Sequence, residues 1–157
     1  NNIIHKSSII DSTNQNNEVW LEISSNDYPF NMRIDSLVYE SLSISIELNL
    51  DDFKGYVNII HRFHDFDNYD FMRIKSNMTM LGRMENGKEN ILNSKSIEFI
   101  DWTIWKCFAD GRHFRGFLNE KMVTHGHIEP YPQGITYIQF NGHGNIGIKN
   151  YLNNSIK

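Results

Sequence analysis

Residues 56–75 read YVNIIHRFHDFDNYDFMRIK, and this stretch decides the fold. Two apolar, β-forming runs flank a polar centre, His64-Asp65-Phe66-Asp67-Asn68. In the second run Tyr69, Phe71 and Arg73 share one face of an extended chain, while Asp70, Met72 and Ile74 share the other. Asp65 and Asn68 are turn chemistry, because their side chains bond nearby backbone. The stretch is a β-hairpin, and the runs on either side are expected to pair with it.

Moving outward, Leu42–Leu50 alternates strictly. Leu42, Ile44, Ile46, Leu48 and Leu50 face one way, and Ser43, Ser45, Glu47 and Asn49 the other, which is the signature of a half-buried antiparallel strand. Residues 51–55 turn the chain into the hairpin. A strand over 77–84 is closed by Asn86-Gly87, a pair suited to a type I′ turn because both central residues take positive φ. Residues 97–109 read as one long strand containing Trp102, Trp105 and Cys107. Asp110-Gly111 reads as a second turn of the same type, and 112–119 as the returning strand. Residues 18–24 give an earlier strand and Asn26-Asp27-Tyr28-Pro29 a turn. Residues 87–96 have room for one helical turn; nothing else reads as helix. Residues 125–134, with two glycines, Pro130 and Pro132, read as an irregular loop. The last strands, 135–140 and 145–151, are joined by Asn141-Gly142-His143-Gly144. Residues 1–17 form a polar arm or poorly defined first strand, and 18–157 a single domain. Short, regularly spaced strands with Gly and Asn turns predict an all-β protein, a two-sheet antiparallel β-sandwich or barrel.

Composition narrows the function. A chain of 157 residues buries enough surface to fold without a staple. A net charge of −4 leaves no basic footprint for nucleic acid. No apolar run is long enough to span a bilayer. Cys107 is the single cysteine, so no intrachain disulfide forms, and a buried structural thiol is expected. Two sequons, Asn77-Met78-Thr79 and Asn153-Asn154-Ser155, are what chance gives in so Asn-rich a chain. Because the chain opens at Asn1 rather than Met, it is expected to be part of a larger one.

The order Arg62-Phe63, Asp65, Asn68-Tyr69, then Trp105, Asp110-Gly111, Phe117-Leu118-Asn119, Gly134-Ile135 and finally 145–150 (NIGIKN) resembles the concanavalin A-like superfamily, in particular its laminin G-like jelly-roll domains. The resemblance covers roughly residues 18–152. It implies two stacked, curved sheets, a glycan or protein bound on the concave face or rim loops, and an extracellular or secretory setting. Some relatives are glycosidases and some hold a rim calcium.

Against that background the candidate ligand-binding residues are Tyr131, Trp102, His64, His127, Arg62 and Arg73. Tyr131 sits between two prolines, where an aromatic loses little entropy on binding, but it also suits packing. Trp102, Trp105, Phe108, Phe114 and Phe117 are expected in the core. Asp65, Asn68, Asn86, Gly87, Asp110 and Gly111 are read as structural turn residues. Asp65, Asp67 and Asp70 are a weak alternative calcium site. Alternation opposes it, since Asp70 follows at an odd offset. No cofactor is otherwise expected. His125-Gly126-His127 and His61-x-x-His64 lack a third ligand nearby in sequence and read as surface histidines. No strand carries the Glu-x-Asp-x-Glu run that the laminarinase-type relatives use, and Glu98 and Asp101 would face opposite ways on a strand. The expected function is therefore a non-catalytic module that recognises a glycan or a protein. Alternatives are an adhesion or scaffold module without sugar affinity, and a divergent glycoside hydrolase.

Overall fold

The computed structural model describes residues 9–10, 18–24, 29–33 and 38–156. The turn expected at Asn26-Asp27-Tyr28 and most of the N-terminal arm lie outside the described residues. The strands are, in order, β1 (Ile9–Ile10), β2 (Val19–Ser24), β3 (Phe30–Arg33), β4 (Leu42–Asn49), β5 (Phe53–Asp65), β6 (Asn68–Lys75), β7 (Met78–Glu85), β8 (Lys88–Ser96), β9 (Thr103–Asp110), β10 (His113–Leu118), β11 (Lys121–His127) and β12 (Ile135–Ser155). All pairings are antiparallel. Among the described residues no helix is long and apolar enough to cross a membrane.

The architecture turns on one long ribbon. β4 and β5 run end to end along β12: Ser155 faces Leu42 and Gly147 faces Asn49, then Gly144 faces Phe53 and Tyr137 faces Ile60. The first half of β12 joins β3, β5, β6, β7 and β8 into one layer, sheet I. Its second half joins β1, β2, β4, β9, β10 and β11 into the other, sheet II. The far edges meet where β11 approaches β7 and β8. The core lies between the layers. Ile44, Ile46 and Leu48 enter it from sheet II, as the alternation requires, with Val57, Ile59, Met72, Ile74, Ile138 and Phe140 from sheet I. Ser45 and Glu47 are only partly covered.

The stretch Asn141-Gly142-His143-Gly144 is thus a bend within one strand and not a joint between two. Gly142 and Gly144 take φ of 145° and 122°, and Gly55 on the facing strand takes 147°. A Cβ on Gly142 would lie 2.1 Å from the Lys54 carbonyl oxygen, and one on Gly55 2.0 Å from that of Asn141. Only glycine permits this approach, and it lets the ribbon cross from one layer to the other.

Other boundaries differ from expectation for similar local reasons. Residues 97–102 are not strand: Asp101 has φ of 61°, and its amide donates to the Asp51 carboxylate. Residues 88–96 form a strand, not a helical turn. This polar, mostly exposed segment has little apolar alternation to betray it. Residues 121–127, partly assigned to a loop, are β11, entered through Asn119-Glu120, both at positive φ. Positive φ falls on Gly111 and not on Asp110, and His113 pairs with Asp110. That hairpin is therefore centred on Gly111-Arg112, with the type II′ signature. Phe108 and Phe117 point away from the core, under the cations of Arg115 and Lys106, because Trp105, Cys107, Phe114 and Leu118 take the inward positions.

The core also holds charge. Asp70 is fully buried and accepts two bonds from Arg83, at 2.7 and 3.1 Å. Arg62, expected to contact ligand, is instead buried at a bulge. Its φ is 50°, and its guanidinium donates to the carbonyls of Glu40 and Gly111. Beside them His61 meets Phe114 edge-on at 5.0 Å, and its ring nitrogens have no partner among the described residues. Burial, then Arg62 and Arg83, push His61 down to about 3. Burial outweighs the arginines at Asp70 and holds its carboxyl above the usual range.

Two outcomes follow. Gly142→Ala should lower the urea midpoint, costing about 2–4 kcal/mol, because strain and a backbone clash coincide there; an unchanged midpoint would refute the bend. His61 takes up a proton below 6.5 when unfolded but only near about 3 when folded. Its contribution to stability is therefore complete above 6.5 and falls away as pH drops, by about 2 kcal/mol at about pH 5. Urea unfolding at about pH 7 and about pH 5 should show a difference that shrinks in His61→Phe.

Candidate binding face

The outward face of sheet I is built by the alternation that fills the core. Inward Val57 and Ile59 put Tyr56, Asn58 and Ile60 on the other side of β5, opposite Lys75, Arg73 and Phe71 of β6. Inward Ile138 and Phe140 likewise turn Tyr137, Gln139 and Asn141 of β12 outward. These outward residues form an apolar cluster of their own, with Ile60, Tyr69, Phe71 and Met80 at its centre and Phe63 and Tyr137 against it. Gly82 makes room for it: a Cβ there would lie 2.4 Å from Phe71 Cζ.

A polar band crosses this face at right angles to the strands. Gln139 Nε2 donates to Asn31 Oδ1 at 3.0 Å, and Asn58 Nδ2 donates to Gln139 Oε1 at 2.8 Å. Arg73 Nε donates to Asn58 Oδ1 at 2.8 Å, and the Arg73 guanidinium ends on the Glu89 carboxylate. The guanidinium also lies over the rings of Tyr56 and Phe71, at 4.4 and 4.7 Å. Asn141 donates to the Tyr56 hydroxyl at 2.9 Å. Five strands thus contribute one line of amides and charges bordered by aromatic rings. Its middle, Gln139, Asn58 and Arg73, is buried, whereas Asn31, Asn141, Tyr56 and Tyr137 are half-buried and Glu89 is exposed. The buried groups lock the accessible ones, Asn31, Asn141, Tyr56 and Glu89, in one orientation, so a ligand that meets these costs little side-chain entropy.

Of the six sequence candidates, Arg73 lies in this band. Tyr131 closes one end of the sandwich: its ring covers the Arg83 guanidinium at 3.8 Å, and its hydroxyl donates to the Met84 carbonyl. His64 sits beside it, 3.3 Å from the Pro132 carbonyl. Trp102 is on the outer side of sheet II, edge-on to Trp20, with Lys149 Nζ 4.1 Å from its ring. His127 lies on the same side, close to His113 and His125. Arg62 faces inward. The sequence reading missed Asn58, Gln139 and Glu89, although Tyr-x-Asn at 56–58 and Tyr-x-Gln-x-Asn at 137–141 already carried the polar and aromatic alternation.

The turn residues tie two hairpins together. Asp65 Oδ1 accepts from the Asp67 amide at 2.8 Å and from Asn68 Nδ2 at 3.0 Å, which holds its carboxyl below the usual range. Asn68 Oδ1 accepts from the Asn86 amide, and the Gly87 amide donates to the Asp67 carbonyl. Asn86 and Gly87 both take positive φ, as a type I′ turn requires. Asp70 points into the core, so Asp65, Asp67 and Asp70 do not converge. Cys107 is buried, and burial pushes its thiol up to about 12, far from nucleophilic character.

The sequence matches no protein-family model and no curated protein. Solved structures do match in shape. A carbohydrate-binding module, CBM66 from Bacillus subtilis, aligns over 96% of this chain and 92% of its own at 12% identity, with a TM-score of 0.67. The fold is a concanavalin A-like jelly roll. A Bacillus licheniformis beta-glucanase aligns over 90% of this chain and 79% of its own, at 11% identity and a TM-score of 0.65. A structure of botulinum neurotoxin type C, whose cell entry depends on two ganglioside molecules, aligns over 97% of this chain but 42% of its own, at 13% identity and a TM-score of 0.67. At these identities the likeness concerns the fold, which serves both a glucanase and a binding module.

Proposed function

We propose that this domain is a non-catalytic recognition module that binds a carbohydrate across the outward face of sheet I. The observation that carries this reading is the continuous band Asn31–Gln139–Asn58–Arg73–Glu89 between aromatic borders. Sugars present neighbouring hydroxyls that donate and accept at once. The amides of Asn31 and Asn141, the edge of the Arg73 guanidinium and the Glu89 carboxylate answer both, held in place by buried Asn58 and Gln139, and tyrosine rings cover the C–H faces. The carbohydrate-binding module of the same fold supports it.

Glycosidic hydrolysis asks for two carboxylates about 5 to 10 Å apart. Among the described residues of these strands, alternation puts Glu89 alone on this face, and Arg73 neutralises it. Glu47, on the other sheet, is held by Lys149 at 3.5 Å and by Asn150. These arrangements favour binding over catalysis.

A glycan array followed by calorimetry on the best hit tests the reading. Arg73→Ala should weaken binding roughly ten- to a hundredfold, the loss of a charge-assisted bond, while Lys106→Ala on sheet II leaves it unchanged. An array without a hit, or a ligand indifferent to Arg73→Ala, would overturn the proposal. A protein ligand lost with Arg73 would move the function to the adhesion reading.

A further inference from the structure

The β10–β11 hairpin carries a second constellation, on the outer face of sheet II, that the carbohydrate reading does not use. His113 pairs directly with His127 across the strands, and His125 stands two positions back on the same side. The rings crowd together, with centroids 4.5 Å apart for His125 and His127 and 4.6 Å for His113 and His127. One ring nitrogen from each lies within 4.8 Å of the others.

The backbone beneath them is fixed. Gly126, between the two β11 histidines, faces inward, where a Cβ would touch Leu92 of β8 at 3.3 Å. The His125 amide donates to Asn93 Oδ1 of β8 at 3.2 Å; the Ile128 amide donates to the Arg112 carbonyl at 3.0 Å and Gly116 pairs with Thr124, so the β10–β11 ladder continues past both ends of the cluster. The third ligand was invisible in sequence because His113 arrives through hairpin register, not through spacing.

We propose that His113, His125 and His127 form a binding site for a borderline divalent metal ion, zinc(II) in the first instance. Three imidazoles are an established zinc donor set, as in carbonic anhydrase. A tetrahedral ion with bonds of about 2.0–2.1 Å needs nitrogens about 3.3 Å apart. Small χ rotations of surface side chains bring them there from the present spacing. The neutral imidazole is the ligating form. The fourth position opens to solvent. Arg115, paired opposite His125, offers an anion there a cationic neighbour.

The test uses the chain without a polyhistidine tag, stripped with a chelator and titrated with zinc chloride by calorimetry and thermal melting. One zinc per chain and a raised midpoint are expected. His113→Ala and His125→Ala should each weaken zinc binding at least tenfold, with melting points in chelator close to the parent's, and His143→Ala should leave it unchanged. Copper(II) binding more tightly through the same residues would support the assignment. Absence of zinc-dependent heat and midpoint shift at about 1 mM metal would overturn it. So would zinc binding that survives His113→Ala, or an equal response to calcium chloride. Glycan binding is read separately, so the two proposals fail independently.

Discussion

A Cβ on Gly55, Gly142 or Gly144 would come 2.0, 2.1 or 1.9 Å from a backbone carbonyl oxygen of the facing chain. That contact is impossible for any other residue, and much of the molecule follows from it. Because the backbones close in at this point, β4 and β5 bend together with β12, and one ribbon supplies a central strand pair to each layer. Its first half sets Gln139 beside Asn58, founding the polar band. Its second half carries β9 and its neighbours over the core through β4. Both candidate sites therefore depend on the bend, although neither touches it.

How much of this could be read beforehand varied with the chemistry of each segment. Leu42–Leu50 was legible because one face is solely apolar. The central hairpin was legible because Asp65 and Asn68 sit between two β-forming runs and suit the turn their side chains make. β8 was hidden by its polarity, and the continuity of β12 by glycines that in most sequences mean a turn. Arg62 looked like a ligand-binding cation, but a bulge at positive φ turns it inward to two carbonyls. No sequence pattern announces a bulge. The band was half legible: Arg73 stood among the candidates, whereas the residues that make it a band lie across strand pairings that sequence alone does not give. The histidine cluster was hidden for the same reason, with two members two positions apart on β11 and the third supplied by β10.

Buried polar groups in this domain fall into two kinds. Asp70, Arg83 and Arg62 lie in the core with His61, and removing one partner strands an uncompensated charge. The band on sheet I is different in kind. Its members satisfy one another beside the second, smaller apolar cluster, outside the core between the layers, and run out to half-buried Asn31 and exposed Glu89. Groups held ready in this way are the pattern of a site whose stability is traded for recognition.

That trade is measurable with the double variant Asn58→Leu/Gln139→Leu, which removes both halves of the central hydrogen bond, the acceptor of Arg73 Nε and the donor to Asn31, and leaves Arg73 its Glu89 partner. If the band exists for binding, urea unfolding should show the variant within about 1 kcal/mol of the parent, or more stable, while glycan binding is lost. A loss of about 3 kcal/mol or more, with binding retained by the folded fraction, would show that the band is structural scaffolding and contradict the account.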